Sequence, residues 1–597
     1  SNGLIGEVAY FVRWRPWNNG QAKMASSSEH HIMGAREAIR WMFSLLKGER
    51  SFLALALVYG VAISVLSLAT PISVQMLINS VANTALVTPL VTLAGTLLGL
   101  LLIAVLLSAL RIYTMELFAR RFYSRQVAEI TIRSIHARNP FFEDSKRQDL
   151  FNRYFDVNTV QKAVPSLLIG GFTIILQSAV GFAVTAFYHP FFLAFNLIVI
   201  ALAVLILLVW TRGAIRSGIA LSHAKYDAAK WLENVGASNG FYKSGRHVDY
   251  ALDGSEEVTA AYIAAKAKHF RYSISQTVAF LLLYALASSG LLALGGWLVI
   301  QGELSIGQLV AAELILSAAF YGLGQVGVYL DTTYDLIAAA EEIGLIYQIE
   351  QEEEAREGQD AIGGSDLILR RVSHSSTAPG ITLDITIPAG TQLIAQAQNH
   401  GIQRLFTHAM KRYLTPETGV VTLGGQDIAM VDMFRLRSEI IVLDRPTIVQ
   451  ASIRDYLRLA GPDTTSGDVL KALALVRLED RVMRLPEGLD TQLSTSGWPL
   501  SYAEALRLKL AGAMLKCPRL LILTGLFDMI DPAILADVRK VMREEGSTVV
   551  QFSYRPAPTE GCRYLWLGDD GQRIIDDPAE FLQIVDSKAE EAAHGNA

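Results

Sequence analysis

Few side chains in this sequence combine a reactive type with a setting that chemistry demands. Glu313 stands within an otherwise apolar run, and a carboxylate in such surroundings faces either a cavity or a partner. It is a candidate contact for a translocated molecule or a polar point on a seam between subunits. Gln177, Gln276 and Gln325 lie in comparable runs, where an amide serves interhelical hydrogen bonding as readily as substrate contact. The cysteines, Cys517 and Cys562, belong to no CxxC pair and no His/Cys spacing, so neither a disulfide scaffold nor a cysteine-based zinc site is expected, and no metal site is assigned. The adjacent pair His30-His31 falls in a polar stretch and reads as surface histidine rather than as ligand.

Stepping outward from these residues, the surroundings are mostly apolar. Hydrophobic residues make up 51% of the 597 positions and charged residues 18%, against about 25% in an ordinary soluble domain. That balance places part of the chain in lipid. The formal net charge of -5 gives no global basic field, so nucleic acid is not an expected partner.

Between Arg50 and Arg111 the sequence holds no charged residue, and two apolar runs flank the polar patch Asn79 to Thr88. Since a bilayer core takes about 20 apolar residues per helix, this is a helix pair with a short turn. The pattern returns from Ala163 to Thr211 around Tyr188-His189-Pro190. It returns again from Tyr272 to Leu330, where the charges are Glu303 and Glu313. Three hairpins predict six spanning helices. Residues 111–162 carry ten Lys or Arg and residues 212–271 carry nine, whereas the short turns carry none. Positive residues concentrate on the cytoplasmic side, so both termini are expected there, in an inner-membrane setting. The long connections have helical apolar spacing (Val127, Ile130, Ile132, Ile135) and read as membrane helices prolonged into the cytoplasm.

The segment Gly295-Gly296-Trp297 through Gly302-Glu303-Leu304-Ser305 to Ala311, with Phe141-Phe142-Glu143, Leu150-Phe151-Asn152-Arg153 and Asp156-Val157, resembles the fifth-to-sixth helix junction and first intracellular loop of ATP-binding cassette (ABC) exporters. The likeness is to the branch related to type I secretion transporters. It extends into the C-terminal part, where Leu500-Ser501, Arg507, Ala511, Ala513 and Pro518 are similar to the family's signature helix, Leu520 to Leu523 to the buried strand after it, and Asp531 to the D-loop aspartate. The resemblance implies a membrane protein with an all-α six-helix transmembrane domain, followed by an α/β P-loop NTPase-like nucleotide-binding domain. The boundaries read from composition are a leader at 1–35, the transmembrane domain at 36–345, an acidic linker at 346–364, the nucleotide-type domain at 365–580 and a polar tail at 581–597.

At the stations where the family does its chemistry, this chain has other residues. A phosphate loop, GxxxxGK[ST], brings backbone N–H groups, a lysine and a hydroxyl to the phosphates and magnesium. After Leu393-Ile394-Ala395 this sequence reads Ala397-Gln398-Asn399-His400-Gly401-Ile402-Gln403-Arg404. Ala397 and Ile402 replace the glycines, Gln403 the lysine and Arg404 the hydroxyl residue. Arg404 could hold an anion at a helix N-terminus, although a solvated arginine is the plainer reading. Thr524-Gly525 stands where the resemblance implies the magnesium-binding and water-activating carboxylates, and Tyr554 stands at the switch histidine. Ser376 falls at the adenine-stacking aromatic and Asp444 at the Q-loop glutamine. In the signature, Leu500-Ser501-Tyr502-Ala503-Glu504 keeps the serine but neither glycine nor the glutamine. Asp528 resembles a residue preceding the D-loop and reads as structural.

Loss of one preorganised electrostatic group commonly costs about 2.7–4 kcal/mol at the transition state. Loss of several together predicts a pseudo-ATPase. Two function classes follow. One is the non-hydrolysing half of a heterodimeric exporter, with ATP and magnesium bound only at a composite site whose competent partner is a second ABC half-transporter. The other is a membrane scaffold or regulatory subunit that keeps the fold without transport.

Overall fold

The computed structural model describes residues 35–81, 87–138, 142, 147–352, 362–461 and 463–594. The leader up to residue 34 with His30 and His31, Phe141, Glu143 and residues 353–361 of the acidic linker lie outside the described residues. The chain divides into two compact units, with the change from the first to the second after Glu350.

Among the described residues the first unit contains six helices long and apolar enough to cross a membrane: Ile39–Asn79, Val87–Ile135, Asp149–Ala186, Pro190–Ala237, Gly245–Ile300 and Ile306–Tyr347. Each exceeds the about 20 residues that a bilayer requires, so their surplus continues as helix beyond it. Large apolar side chains such as Leu98, Leu102 and Val105 on the second span and Leu197, Leu205 and Leu208 on the fourth point outward, an arrangement that lipid tails accept and water does not. The fourth span starts at Pro190, placed where a missing N–H costs nothing, and His189 Nδ1 accepts from Phe191 N at 3.2 Å. The sixth starts with a reciprocal cap between Ser305 and Gln308.

The third span is segmented. A 3-10 turn, Gln148–Tyr154, leads to the helix Phe155–Ser166, then a π turn, Leu167–Gly171, then the helix Phe172–Ala186. Pro165 removes one ladder donor just before the π turn. At Gly170 an added Cβ would sit 2.1 Å from the hydroxyl oxygen of Tyr329. Glycine therefore lets the last span pack against the irregular turn.

In the second unit a six-stranded sheet has the order β10-β9-β3-β8-β7-β6. The strands are β3 Gln392–Ala397, β6 Ile440–Leu443, β7 Leu520–Leu523, β8 Thr548–Phe552, β9 Arg563–Gly568 and β10 Gly571–Ile575. All neighbours are parallel except β9 and β10. Burial on both faces explains why β7 is uninterrupted Leu-Leu-Ile-Leu, all four buried. A second, antiparallel sheet, β2-β1-β4-β5, joins β1 Leu367–Ser373, β2 Thr382–Ile387, β4 Thr418–Leu423 and β5 Gln426–Asp427. Residues 581–594 of the expected polar tail belong to a helix, Pro578–His594. Phe581 on it is fully buried with Tyr564, Trp566 and Ile575, which anchors the helix to the sheet.

Candidate functional site

Residues 397–404, Asp444, Thr524-Gly525 and Tyr554 end or follow the parallel strands β3, β6, β7 and β8, at the strand ends where open α/β sheets bind ligands. The turn from β3 to the helix His400–Met410 is short. Asn399 is the N-cap, and its side chain accepts from Ile402 N at 3.0 Å. Gln398 is turned the other way, its amide oxygen accepting from Asp569 N at 2.8 Å. A Cβ on Gly401 would lie 2.7 Å from the carbonyl oxygen of Thr377. The segment following Ser376 thus lies against the first turn of this helix, with the carbonyl oxygen of Thr377 beside Gly401. His400 and Arg404 are exposed and Gln403 half-buried, while Ala397 ends the strand. Ser376 is exposed, its hydroxyl 3.0 Å from His374 Nδ1.

Beyond β7, Thr524 is buried and its hydroxyl donates to the carbonyl of Leu443 at 3.2 Å, tying the ends of β6 and β7 together. Gly525 opens a 3-10 turn, Gly525–Met529. The space over its α-carbon is filled by the ring of Tyr554, so that a Cβ there would sit 2.2 Å from that ring. Asp528 is exposed, but its carboxylate is engaged by backbone and side chain. It accepts from Tyr554 N at 2.8 Å and Ser553 Oγ at 3.2 Å. Partial burial nevertheless pushes the Asp528 carboxyl above its ordinary range.

Asp444 is paired with Lys411 at 3.0 Å. Close by, Lys509 donates to the carbonyls of Arg445 and of Thr447. Burial pulls its ammonium down to about 8. Sequence reasoning missed Lys509. The available signal was a lysine inside the alternation Leu506-Arg507-Leu508-Lys509-Leu510, where a charged residue on the buried side of a helix must find acceptors.

Leu500 is buried and Ser501 caps the helix Tyr502–Lys516. Its Oγ accepts from Glu504 N at 3.3 Å while Glu504 Oε2 accepts from Ser501 N at 2.8 Å. Accepting leaves the Ser501 hydroxyl hydrogen free to donate elsewhere. Partial burial works against the Glu504 carboxylate, but the Ser501 bonds and Arg481 at 3.3 Å hold it below its ordinary range. Tyr502 is exposed and Ala503 half-buried. Asp531, expected at the D-loop, caps the helix Pro532–Glu544 and pairs with Arg477 at 3.1 Å.

These residues do not fit the phosphates of magnesium-ATP in the manner of a phosphate loop. The helix start is capped by its own Asn399, Gln403 carries no charge, and the two positions after β7 offer a hydroxyl already engaged and a filled glycine. What the arrangement retains is a helix N-terminus at Ser501 with one free hydroxyl proton.

In the membrane unit, Ser317 donates to Glu313 Oε1 at 3.0 Å and Glu313 Oε2 is buried without a hydrogen-bond partner. Gln276 is interhelical glue: Tyr334 donates to its Oε1 at 2.7 Å and its amide donates to Thr211 Oγ1 at 3.4 Å.

Residues 53–232 match the sequence family described as the ABC transporter transmembrane region. The chain is 27% identical over 279 residues to the exotoxin translocation ATP-binding protein PaxB of Pasteurella aerogenes, covering 44% of this chain and 38% of that one. It is 23% identical over 314 residues to the alpha-hemolysin translocation ATP-binding protein HlyB of Escherichia coli O157:H7, covering 49% and 42%. These alignments therefore span less than half the length of either relative. A solved bacterial Atm1-family ABC exporter with ATP bound superposes with a TM-score of 0.75 at 18% identity, over 93% of this chain and 99% of that chain.

Proposed function

We propose that this chain, which carries an ABC exporter transmembrane region within an ABC exporter fold, is the non-hydrolysing half of a heterodimeric exporter. A competent second half-transporter supplies ATP chemistry, and both halves build the translocation path. The observation that carries this reading is the filled Gly525: Tyr554 stands in the space from which a catalytic carboxylate would project. Six spanning helices suit half of a two-chain path, and the cap at Ser501 keeps a hydroxyl proton for a nucleotide held by the partner. Both termini lie in the cytoplasm in this reading, and the membrane is a bacterial inner membrane.

The purified chain alone is expected to show no magnesium-dependent ATPase above background, and recovery from native membranes is expected to bring a second ABC half-transporter in equal amount. Turnover that survives purification and disappears on Gln403→Ala would overturn the pseudo-ATPase reading. A second reading, a scaffold or regulatory subunit without transport, is favoured by Tyr502, which replaces a glycine beside Ser501 and stands exposed. Recovery of homodimers alone, or of an unrelated membrane complex, would support it.

A further inference from the structure

Glu341 and Glu342 are consecutive residues of the sixth span's helical prolongation, and both are completely buried. Neighbouring positions on a helix point about 100° apart, so burying both is unusual and requires partners on two sides. Glu342 has them. Arg153 Nε donates to its Oε2 at 2.8 Å and Ser222 Oγ donates to its Oε1 at 2.8 Å. Nearby Asp156 is answered by Lys225 at 3.3 Å and by the Tyr226 hydroxyl at 2.5 Å.

Glu341 is answered differently. Its Oε2 lies 2.9 Å from His223 Nε2, and its Oε1 is buried with no hydrogen-bond partner. A buried carboxylate oxygen left unmatched is costly. His223 Nε2 also lies 3.9 Å from Glu342 Oε1, and the donor atoms of His223, Glu341 and Glu342 all lie within 4.8 Å of one another.

We propose that His223, Glu341 and Glu342 form a binding site for a divalent transition-metal ion of zinc's kind. Zinc bonds imidazole nitrogen and carboxylate oxygen at about 2.0–2.2 Å, which sets tetrahedral ligand atoms roughly 3.3 Å apart. The observed separations of 2.9 and 3.9 Å bracket that value. A proton on His223 would satisfy Oε2 of Glu341 alone. A metal ion held by both oxygens of Glu341 would also engage the orphaned Oε1. Arg153 and Ser222 then act as an outer shell that orients Glu342, whose oxygens have lone pairs to spare. The imidazole is the partly exposed member, its side chain 24% accessible, and provides the entry path. The occupied site would tie the prolonged fourth span, which carries His223, to the prolonged sixth.

The test uses the full chain in detergent, stripped with chelator and titrated with Co2+ and then Zn2+. The expected result is one Co2+ per chain with visible d–d absorption, displaced by Zn2+. His223→Ala and Glu341→Gln should each weaken binding by at least about tenfold. His223→Gln, which preserves a hydrogen bond to Glu341, gives a second reading where the alanine variant fails to fold. Replacing His30 and His31 together by alanine should leave the cobalt spectrum unchanged. Absence of saturable binding in the wild-type chain overturns the proposal, as does wild-type affinity in both His223→Gln and Glu341→Gln, or loss of binding on removing His30 and His31.

Discussion

The ring of Tyr554 lies over the α-carbon of Gly525, with Cε2 2.2 Å from where a Cβ would project. The two residues are 29 positions apart, at positions where the resemblance implies two different catalytic groups. In space they are one substitution, because the glycine makes room for the ring. Restoring a carboxylate at 525 alone therefore does not restore a site.

Gly525→Glu is expected to displace the ring of Tyr554, which is 69% exposed and can swing toward solvent, and to destabilise the full chain by about 1 kcal/mol, the low end of the overpacking range. ATPase activity should stay at background. Gly525→Glu with Tyr554→Gly should recover much of the stability, measured by thermal unfolding. A single variant as stable as wild type would show that the ring has no fixed place.

Ser501→Ala removes an N-cap and should cost about 0.5–2 kcal/mol in stability. In the co-purified pair it should also lower steady-state ATPase, whereas Gln403→Ala should leave the rate nearly unchanged. Equal sensitivity at the two positions would mean that the site after β3 is working. Indifference at both would place this domain outside the ATP cycle. The Glu504 half of the same cap gives a pH signature. Its carboxylate titrates below its ordinary value in the folded chain. Its contribution is therefore fully present above the unfolded value of about 4.3 and disappears as pH falls through the lower folded value. Glu504→Gln should flatten that acid limb of the unfolding curve.

Lys509 gives a signature of the same sign in alkali. Its folded pKa of about 8 lies below the unfolded value of about 10.4, so the unfolded chain holds the extra proton between them. Stability should rise with pH across that window and level off above it. In Lys509→Met the rise should be absent. A wild-type melting temperature that is flat or falling from pH 8 to 10, together with an unchanged profile in the variant, would count against a buried ammonium.

The pair Arg153 and Glu342, both at most 6% accessible at the side chain, should behave as a buried ion pair. Arg153→Met is expected to cost about 3–5 kcal/mol, since it strands a carboxylate. Adding Glu342→Leu should return a large part of that loss. Additive losses in thermal or denaturant unfolding would refute the coupling.

Much of this fold was legible because charge is the signal that lipid reads most strictly. The uncharged stretch after Arg50 and the basic runs between hairpins located six spans, and the spacing of Val127, Ile130 and Ile135 showed that helix continues past the bilayer. The short strand β5 and the helix containing Phe581 were not legible. A strand of two residues has no period, and the short apolar group Phe581, Leu582, Ile584 and Val585 is flanked by polar residues, so its docking depends on Tyr564 and Trp566 of β9. At the candidate site the identities of Gln403, Thr524, Gly525 and Tyr554 were plain, but not that Tyr554 fills Gly525, since one residue's shape requirement is recorded only in its distant partner. The convergence of His223 on Glu341 was hidden for the same reason. The two glutamates were visible as a break in Ile337-Ala338-Ala339-Ala340, and what answers them lies more than a hundred positions earlier.

The segmented third span and the unbroken fifth have opposite mechanical characters. Gly245–Ile300 is a single helix of 56 residues, about 84 Å of rod at 1.5 Å per residue. Tilting such a lever by five degrees displaces its far end by roughly 7 Å. The π turn Leu167–Gly171 is the reverse: a joint, with its ladder already rearranged and its glycine socket seating Tyr329. A bundle that combines a stiff rod with a jointed neighbour resolves one applied torque into rotation in the first and bending in the second. A bulkier residue at Gly170 would displace the ring of Tyr329 and so stiffen or reshape this joint without touching any site of chemistry.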